Sequence, residues 1–281
     1  MLLPIDGYED MPVLPLEIAV EPLVSFLPAI ENYTYIAKQQ CKNPPADGLT
    51  IDESASIMLY SMSWEPIDKC LYVSLNKTLR SNDRSKLKPW LLYLKLFLTA
   101  LSRLPNMHKF VYRGVKLNLS ERYQTGETIV WWGFSSCTDS INVLQSDLFL
   151  GTKGARTLFT IECYSGKDIR KHSFYPSEDE ILLLAATQFK VRGCLNQGNG
   201  LHLIQLEETH PHFPLLHPIQ LGLNSNQSST EHCIASAITT AQLNTENINN
   251  ATNYITNKST IKMNVIPQYD IKRGIVKFHH N

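Results

Sequence analysis

The chain has 281 residues, 26 basic and 26 acidic, so its formal net charge is zero and its pI is near 7.1. With 43% hydrophobic residues it can bury an ordinary core as one large domain or two small ones. The balance excludes the broadly basic surface that nucleic-acid and membrane binders use, and neither is expected as a partner.

The predicted elements begin with helices. "EPLVSFLPAIENYTYIAKQQC" spaces Leu23, Phe26, Leu27, Ile30 and Ile36 at a helical period, with Pro28 marking a break or a late start. "TIDESASIMLYSM" places Thr50 three residues before Glu53, the pattern of a capping box. "LYVSLNKTLRS" is a shorter candidate. "LKPWLLYLKLFLTALSRLP" is the clearest one, with Trp90, Leu94, Phe97, Leu98 and Leu101 on one face and Pro105 as its stop. Its apolar run contains Lys95 and falls short of the roughly 20 residues of a membrane span.

After Pro105 the segments become short and rich in β-branched and aromatic residues: "KFVYRGV", "TIVWWGFSSCT", "ARTLFTIECYS", "EILLLAAT", "FKVRGCL" and "LHLIQLEET". Helices followed by strands predict an α+β fold, with a helical part at about 1–105 and a β-rich part at about 106–220. "SINVLQSDLFLG" between two strands suits a short helix. From 221 to 281 the chain is rich in Asn, Thr and Ser and reads as a disordered tail.

Six cysteines show no C-x-x-C pair and no zinc-type spacing. The opening "MLLPIDGYED" lacks a basic n-region and an apolar h-region, so no signal peptide is read. The expectation is a cytoplasmic, monomeric protein whose thiols are reduced and whose six N-x-S/T sites are incidental.

Three fragments carry chemistry-bearing side chains. In "VYRG", Arg113 ends an apolar strand beside Gly114; a guanidinium there suits a phosphate ligand, or equally an internal carboxylate. In "WWGFSSCTDS", Ser136 and Thr138 alternate onto one side of a strand, where they could bond a ligand or simply end the strand. No G-x-S-x-G elbow is present. In "YPSEDEILLL", a strand starting near Ser177 would point Glu178 and Glu180 into one space and leave Asp179 as a solvated charge; an acidic turn is the plainer reading. His210, His212 and His217 lie in a Pro-broken stretch without matching metal ligands and read as surface residues.

Taken in order, "YRG", "FSSCT" and "EDE" resemble the Y-R-G strand, the F-x-S-x-S/T strand and the E-x-E motif of the mono-ADP-ribosyltransferases, the cholera-toxin-like and vertebrate ecto-enzyme type. The resemblance spans about residues 105 to 206, and more loosely the helical half. Thr138 stands where relatives carry a second serine, and "LLLAATQF" has alanines where they often carry Pro-Gly. The resemblance implies the fold of that family and an R-S-E triad of Arg113, Ser136 and Glu180. It implies NAD as co-substrate, no metal, and transfer of ADP-ribose to exposed arginines of a protein substrate. Gly114 would then meet the nicotinamide amide through its backbone, and Phe149 would stack near nicotinamide or serve as a core residue. Glu178 would position the incoming guanidinium. Phe174 and Tyr175 fall in the loop that meets the protein substrate in relatives. The alternatives are an NAD glycohydrolase and an inactive NAD- or protein-binding module.

Overall fold

A computed structural model describes residues 5–146, 149–217 and 219, and the backbone of residues 275–277. Nearly all of the expected tail, including the boundary at 221, lies outside the described residues.

Among the described residues, five α-helices precede the sheet: α1 (Leu16–Val20), α2 (Ile30–Gln40), α3 (Ile51–Ser61), α4 (Leu71–Leu79) and α5 (Leu91–Arg103). Pro28 does delay a start, because α2 begins only at Ile30. At the head of α3 the Thr50 hydroxyl accepts the Glu53 amide at 3.2 Å, and Glu53 Oε2 accepts the Thr50 amide at 2.8 Å. Two amides with no intrahelical partner are thereby satisfied. The other Glu53 oxygen pairs with Arg103 Nε at 3.0 Å, tying α3 to the end of α5. Asp52 accepts the Leu16 amide at 2.9 Å and so caps α1 from a distant part of the chain. Thr50→Ala should cost about 1 kcal/mol of stability, read from the denaturant midpoint.

Among the described residues, eight strands follow: β1 (Asn106–Val115), β2 (Thr128–Trp131), β3 (Ser135–Thr138), β4 (Arg156–Asp168), β5 (Glu180–Leu183), β6 (Thr187–Gly198), β7 (Leu201–Thr209) and β8 (Ile275–Lys277). Between β3 and β4, Ile141–Gln145 form a five-residue 3-10 helix, the short helix expected there. The sheet order is β1-β3-β5-β4-β7-β6-β2-β8, with β1 also paired to β4. Strands β1, β3, β5 and β4 thus close on one another, and the remaining strands extend from β4. All pairs are antiparallel except β4–β7.

The sheet has apolar neighbours on both faces. Leu182 of β5 joins Tyr60, Trp90, Tyr93 and Phe97 in the helical core, whereas Ile181 and Leu183 join Phe159, Phe189 and Leu206 on the other face. Alternation of side chains across a strand explains why residues 181–183 of β5 are all apolar: both faces are covered there. Phe134, just before β3, docks the two layers. Its ring meets Tyr60 at 5.7 Å and Phe97 at 5.1 Å, in the edge-to-face geometry that aromatic quadrupoles favour. Among the described residues, no helix is long and apolar enough to cross a membrane.

Candidate active site

Sheet register brings the three fragments together. Tyr112 of β1 lies opposite Thr138 of β3, and Thr138 lies opposite Glu180 of β5. Arg113 Nη1 donates to the Ser136 carbonyl at 2.5 Å, and the Ser136 hydroxyl donates to Glu180 Oε1 at 2.5 Å. A hydroxyl bonded to a carboxylate at that distance is a strong, charge-assisted contact. It fixes the Glu180 side chain, which is only 1% exposed. Thr138 is also buried, but its hydroxyl accepts the Ser140 amide at 3.1 Å and turns the chain out of β3. Ser136 faces the carboxylate while Thr138 serves the strand end.

The acidic stretch differs from its expected geometry. The strand starts at Glu180 rather than near Ser177, and Pro176–Glu178 form a 3-10 turn. Asp179 is left-handed, with φ 49 and ψ 44, a conformation that Asp tolerates better than most residues. Its carboxylate pairs with Arg170 at 3.4 Å instead of standing alone in solvent. The two glutamates are therefore placed by a turn and not by strand alternation. Glu178 is itself buried.

The opposite wall is supplied by α3 and α4. Burial first, then the neighbouring charges of Cys70, Tyr60, Glu178 and Glu180, push the Tyr72 phenol well above its ordinary pKa. One phenol thus feels both carboxylates. Asn76 Nδ2 donates to the Tyr60 hydroxyl at 3.0 Å, and Tyr60 in turn feels Glu180, Arg113 and Arg80. The backbone at Gly133 lies against this helix. A Cβ built there would stand 2.7 Å from Asn76 Oδ1 and 3.2 Å from Arg80 Nη1, so a larger residue would displace the ends of these two side chains. Tyr72, Asn76 and Arg80 were not singled out from the sequence. Their signal was a polar stripe at steps of four on a helix otherwise marked by Leu71, Val73, Leu75 and Leu79.

Gly114 and Phe149 lie on the other side of β1. Residues after the 3-10 turn fold over the strand through bonds from the Phe149 amide to the Ser146 carbonyl (2.9 Å) and from the Leu150 amide to the Leu144 carbonyl (3.2 Å). Phe149 packs with Leu144, Leu150 and Leu158 in a small buried cluster, and half-buried Tyr112 lies against it. A Cβ on Gly114 would come within 2.9 Å of Leu150 Cβ. Gly114→Ala should push this turn off β1 and cost about 1–3 kcal/mol, measured by denaturant unfolding.

Two aromatics expected to meet a protein substrate face inward. Tyr175 is buried with its hydroxyl 3.2 Å from Ser63 Oγ, and Phe174 packs on the helical core. At the alanine pair, Ala186 takes φ 64 where Pro-Gly was the comparison; its methyl packs with Val130 and Leu215. The sequence offered His217 no matching ligands, but the fold brings Glu9 to 3.4 Å and Asp6 to 3.9 Å of its Nε2, a set of three groups that could hold a cation; exposed acidic groups also cluster without one. His210 stacks on Tyr164 at 5.6 Å.

Comparison with known proteins adds a family to this geometry. A model of the family described as NAD:arginine ADP-ribosyltransferase matches residues 29–212. A putative NAD(+)–arginine ADP-ribosyltransferase, Mav, of Mycobacterium avium (strain 104) is 37% identical over 94 residues, which are 33% of this chain and 11% of that protein. The chain therefore aligns with a small part of that relative. The crystal structure of the eucaryotic mono-ADP-ribosyltransferase ART2.2 is similar at a TM-score of 0.53 and 21% identity, over 76% of this chain and 93% of the other. A mutant of ART2.2 in complex with NAD is similar at 0.52 and 19% identity, over 70% of this chain and 86% of the other. These likenesses establish the fold.

Proposed function

Because the chain belongs to the NAD:arginine ADP-ribosyltransferase family, we propose that it transfers ADP-ribose from NAD to the guanidinium of an exposed arginine on a protein, releasing nicotinamide. The observation that supports this reading is the Ser136–Glu180 contact at 2.5 Å between β3 and β5, with Arg113 of the neighbouring β1 bonded to the Ser136 carbonyl.

The chemistry demanded by NAD matches these groups. Nicotinamide leaves as a neutral ring with the electron pair of its bond to the ribose, and the ribose becomes a cation of oxocarbenium character. Glu180 opposes that charge from a fixed position and accepts a ribose hydroxyl, as carboxylates do in glycoside cleavage. Ser136 holds the carboxylate in place, so little reorganisation is needed as charge develops. Arg113 uses one guanidinium N–H on the Ser136 carbonyl, and the rigid fork of a guanidinium suits the NAD pyrophosphate with its others. Gly114 offers its backbone to the nicotinamide amide, and Phe149 buttresses the turn beside it.

Glu178 acts on the acceptor. An arginine guanidinium is a poor nucleophile while protonated. Glu178 orients it and takes one proton as the nitrogen lone pair forms the new C–N bond to the ribosyl cation; the product keeps a single positive charge as an ADP-ribosylated guanidinium, and the proton passes from Glu178 to water. No step requires a metal ion.

Purified chain with labelled NAD and agmatine, a small arginine mimic, should yield ADP-ribosylagmatine and nicotinamide. Folded protein that consumes no NAD would overturn the reading. Nicotinamide release at the same rate with and without agmatine, and no labelled agmatine, would assign a glycohydrolase instead.

A further inference from the structure

The two glutamates are two residues apart, yet different parts of the molecule hold them. Glu180 is inside β5, opposite Thr138 and bonded to Ser136, so the sheet fixes it. Glu178 ends a single 3-10 turn outside the sheet, where its amide donates to the Tyr175 carbonyl at 3.1 Å. Residues 170–177 lead directly into that turn, so what holds them bears on where Glu178 stands.

That segment lies along α3, and the main fastener is His172. The imidazole is fully buried. Nδ1 lies 2.9 Å from Ser54 Oγ in the first turn of α3, and Nε2 lies 3.1 Å from Asp47 Oδ2 in the turn before it. A neutral ring has one donor and one acceptor, and these partners match it: Nε2–H donates to Asp47 and the Ser54 hydroxyl donates to Nδ1. Burial holds the imidazole pKa below its ordinary value despite Asp47, which keeps the ring neutral near pH 7. Lys171 and Asp168 are the other charges acting on it. Lys171 closes on the remaining Asp47 oxygen at 2.9 Å.

Two further bonds continue along the helix. The Phe174 amide donates to Ser61 Oγ at 2.6 Å in the last turn of α3, and Tyr175 reaches Ser63 just beyond it. Arg170 grips Asp168 on one side and Asp179 on the other, closing the loop at its base.

We propose that His172, held by Ser54 and Asp47, is a positioning residue that sets Glu178 and thereby decides whether ADP-ribose goes to a guanidinium or to water. It acts on acceptor choice and leaves NAD cleavage to the sheet-held Glu180. The proposal rests on the transferase reading above.

The test measures ADP-ribosylagmatine and free ADP-ribose in the same reaction, at saturating NAD, for the full chain and three variants. His172→Ala removes both bonds. Asp47→Gly removes one carboxylate while keeping the positive φ of 55 that Asp47 adopts. In both, the ratio of transfer to hydrolysis should fall about tenfold or more, as small misplacements of a reacting group do, with NAD cleavage without agmatine unchanged. Asp47→Asn keeps an acceptor for Nε2–H and tolerates the left-handed backbone, so it should restore the ratio. Melting temperatures accompany each variant, and if His172→Ala is unfolded at the assay temperature, Asp47→Gly and Asp47→Asn decide. An unchanged ratio, or an equal loss of transfer and cleavage, overturns the proposal. A wild-type chain that makes no ADP-ribosylagmatine overturns the transferase reading itself, and this role with it.

Discussion

Glu180→Gln should lower NAD cleavage by about 10²- to 10³-fold, with and without an arginine acceptor, the loss expected when a fixed group that stabilises transition-state charge is neutralised. The substitution is nearly isosteric. The introduced amide would still offer a carbonyl to the Ser136 hydroxyl, so the 2.5 Å contact loses its charge but not its geometry. The side chain sits at the head of β5 with Thr138 across from it, and the backbone pairing does not depend on the carboxylate. Stability should therefore change little, while nicotinamide release falls. Measuring nicotinamide by its absorbance on release, alongside a denaturant curve, separates the two effects. A variant that cleaves NAD at the wild-type rate would remove Glu180 from the chemistry.

Glu178→Gln should divide the reaction instead. Transfer to agmatine should fall by about 10²–10⁴-fold, the usual contribution of a general base, while hydrolysis of NAD persists. Neutralising Glu178 removes the group that pairs with the guanidinium and accepts its proton. Water needs no such partner to be bound. The measurement is again a product ratio, and a parallel loss of both products would mean that the two glutamates act as one unit. Glu178 is buried at the end of a one-turn 3-10 helix, and the amide carbonyl of glutamine suits that site without enlarging it.

Legibility in the sequence followed the range of the interactions involved. The capping box of α3 needs only Thr50 and Glu53, three residues apart, and its two bonds are found as the spacing predicts. The stop of α5 at Arg103 follows from Pro105 two residues on. The boundary between helices and strands falls between Arg103 and Asn106, where the hydrophobic period changes. The strand expected in "EILLLAAT" is found at Glu180–Leu183, and its apolar residues divide between the two cores.

The acidic stretch shows where local reasoning ended. Strand alternation assumes that the strand is already under way, and a proline at 176 with a left-handed Asp179 starts it three residues later than Ser177. A positive φ at Asp179 is sustained by the surrounding structure, Arg170 included, and not by residue preference alone. In α4, the polar step from Tyr72 to Asn76 to Arg80 is visible in the sequence, but a polar stripe ordinarily faces water. In the fold that helix lies against Gly133, and Tyr72 feels the charges of Glu178 and Glu180.

The sequence by itself determined the order of the elements, the caps and stops of the helices, the apolar faces of the strands, and the residue types at Arg113, Ser136 and Glu180. Each depends on neighbours a few positions away, or on a motif whose chemistry is carried by its own side chains. Tertiary structure alone decided which groups share a space. Sheet register joins Arg113, Ser136 and Glu180 from three strands, and His172 meets Ser54 and Asp47 across separations of 118 and 125 residues. Contacts of that range leave no periodic trace in the chain, because the loop-closure entropy they oppose is recovered only when both cores have formed.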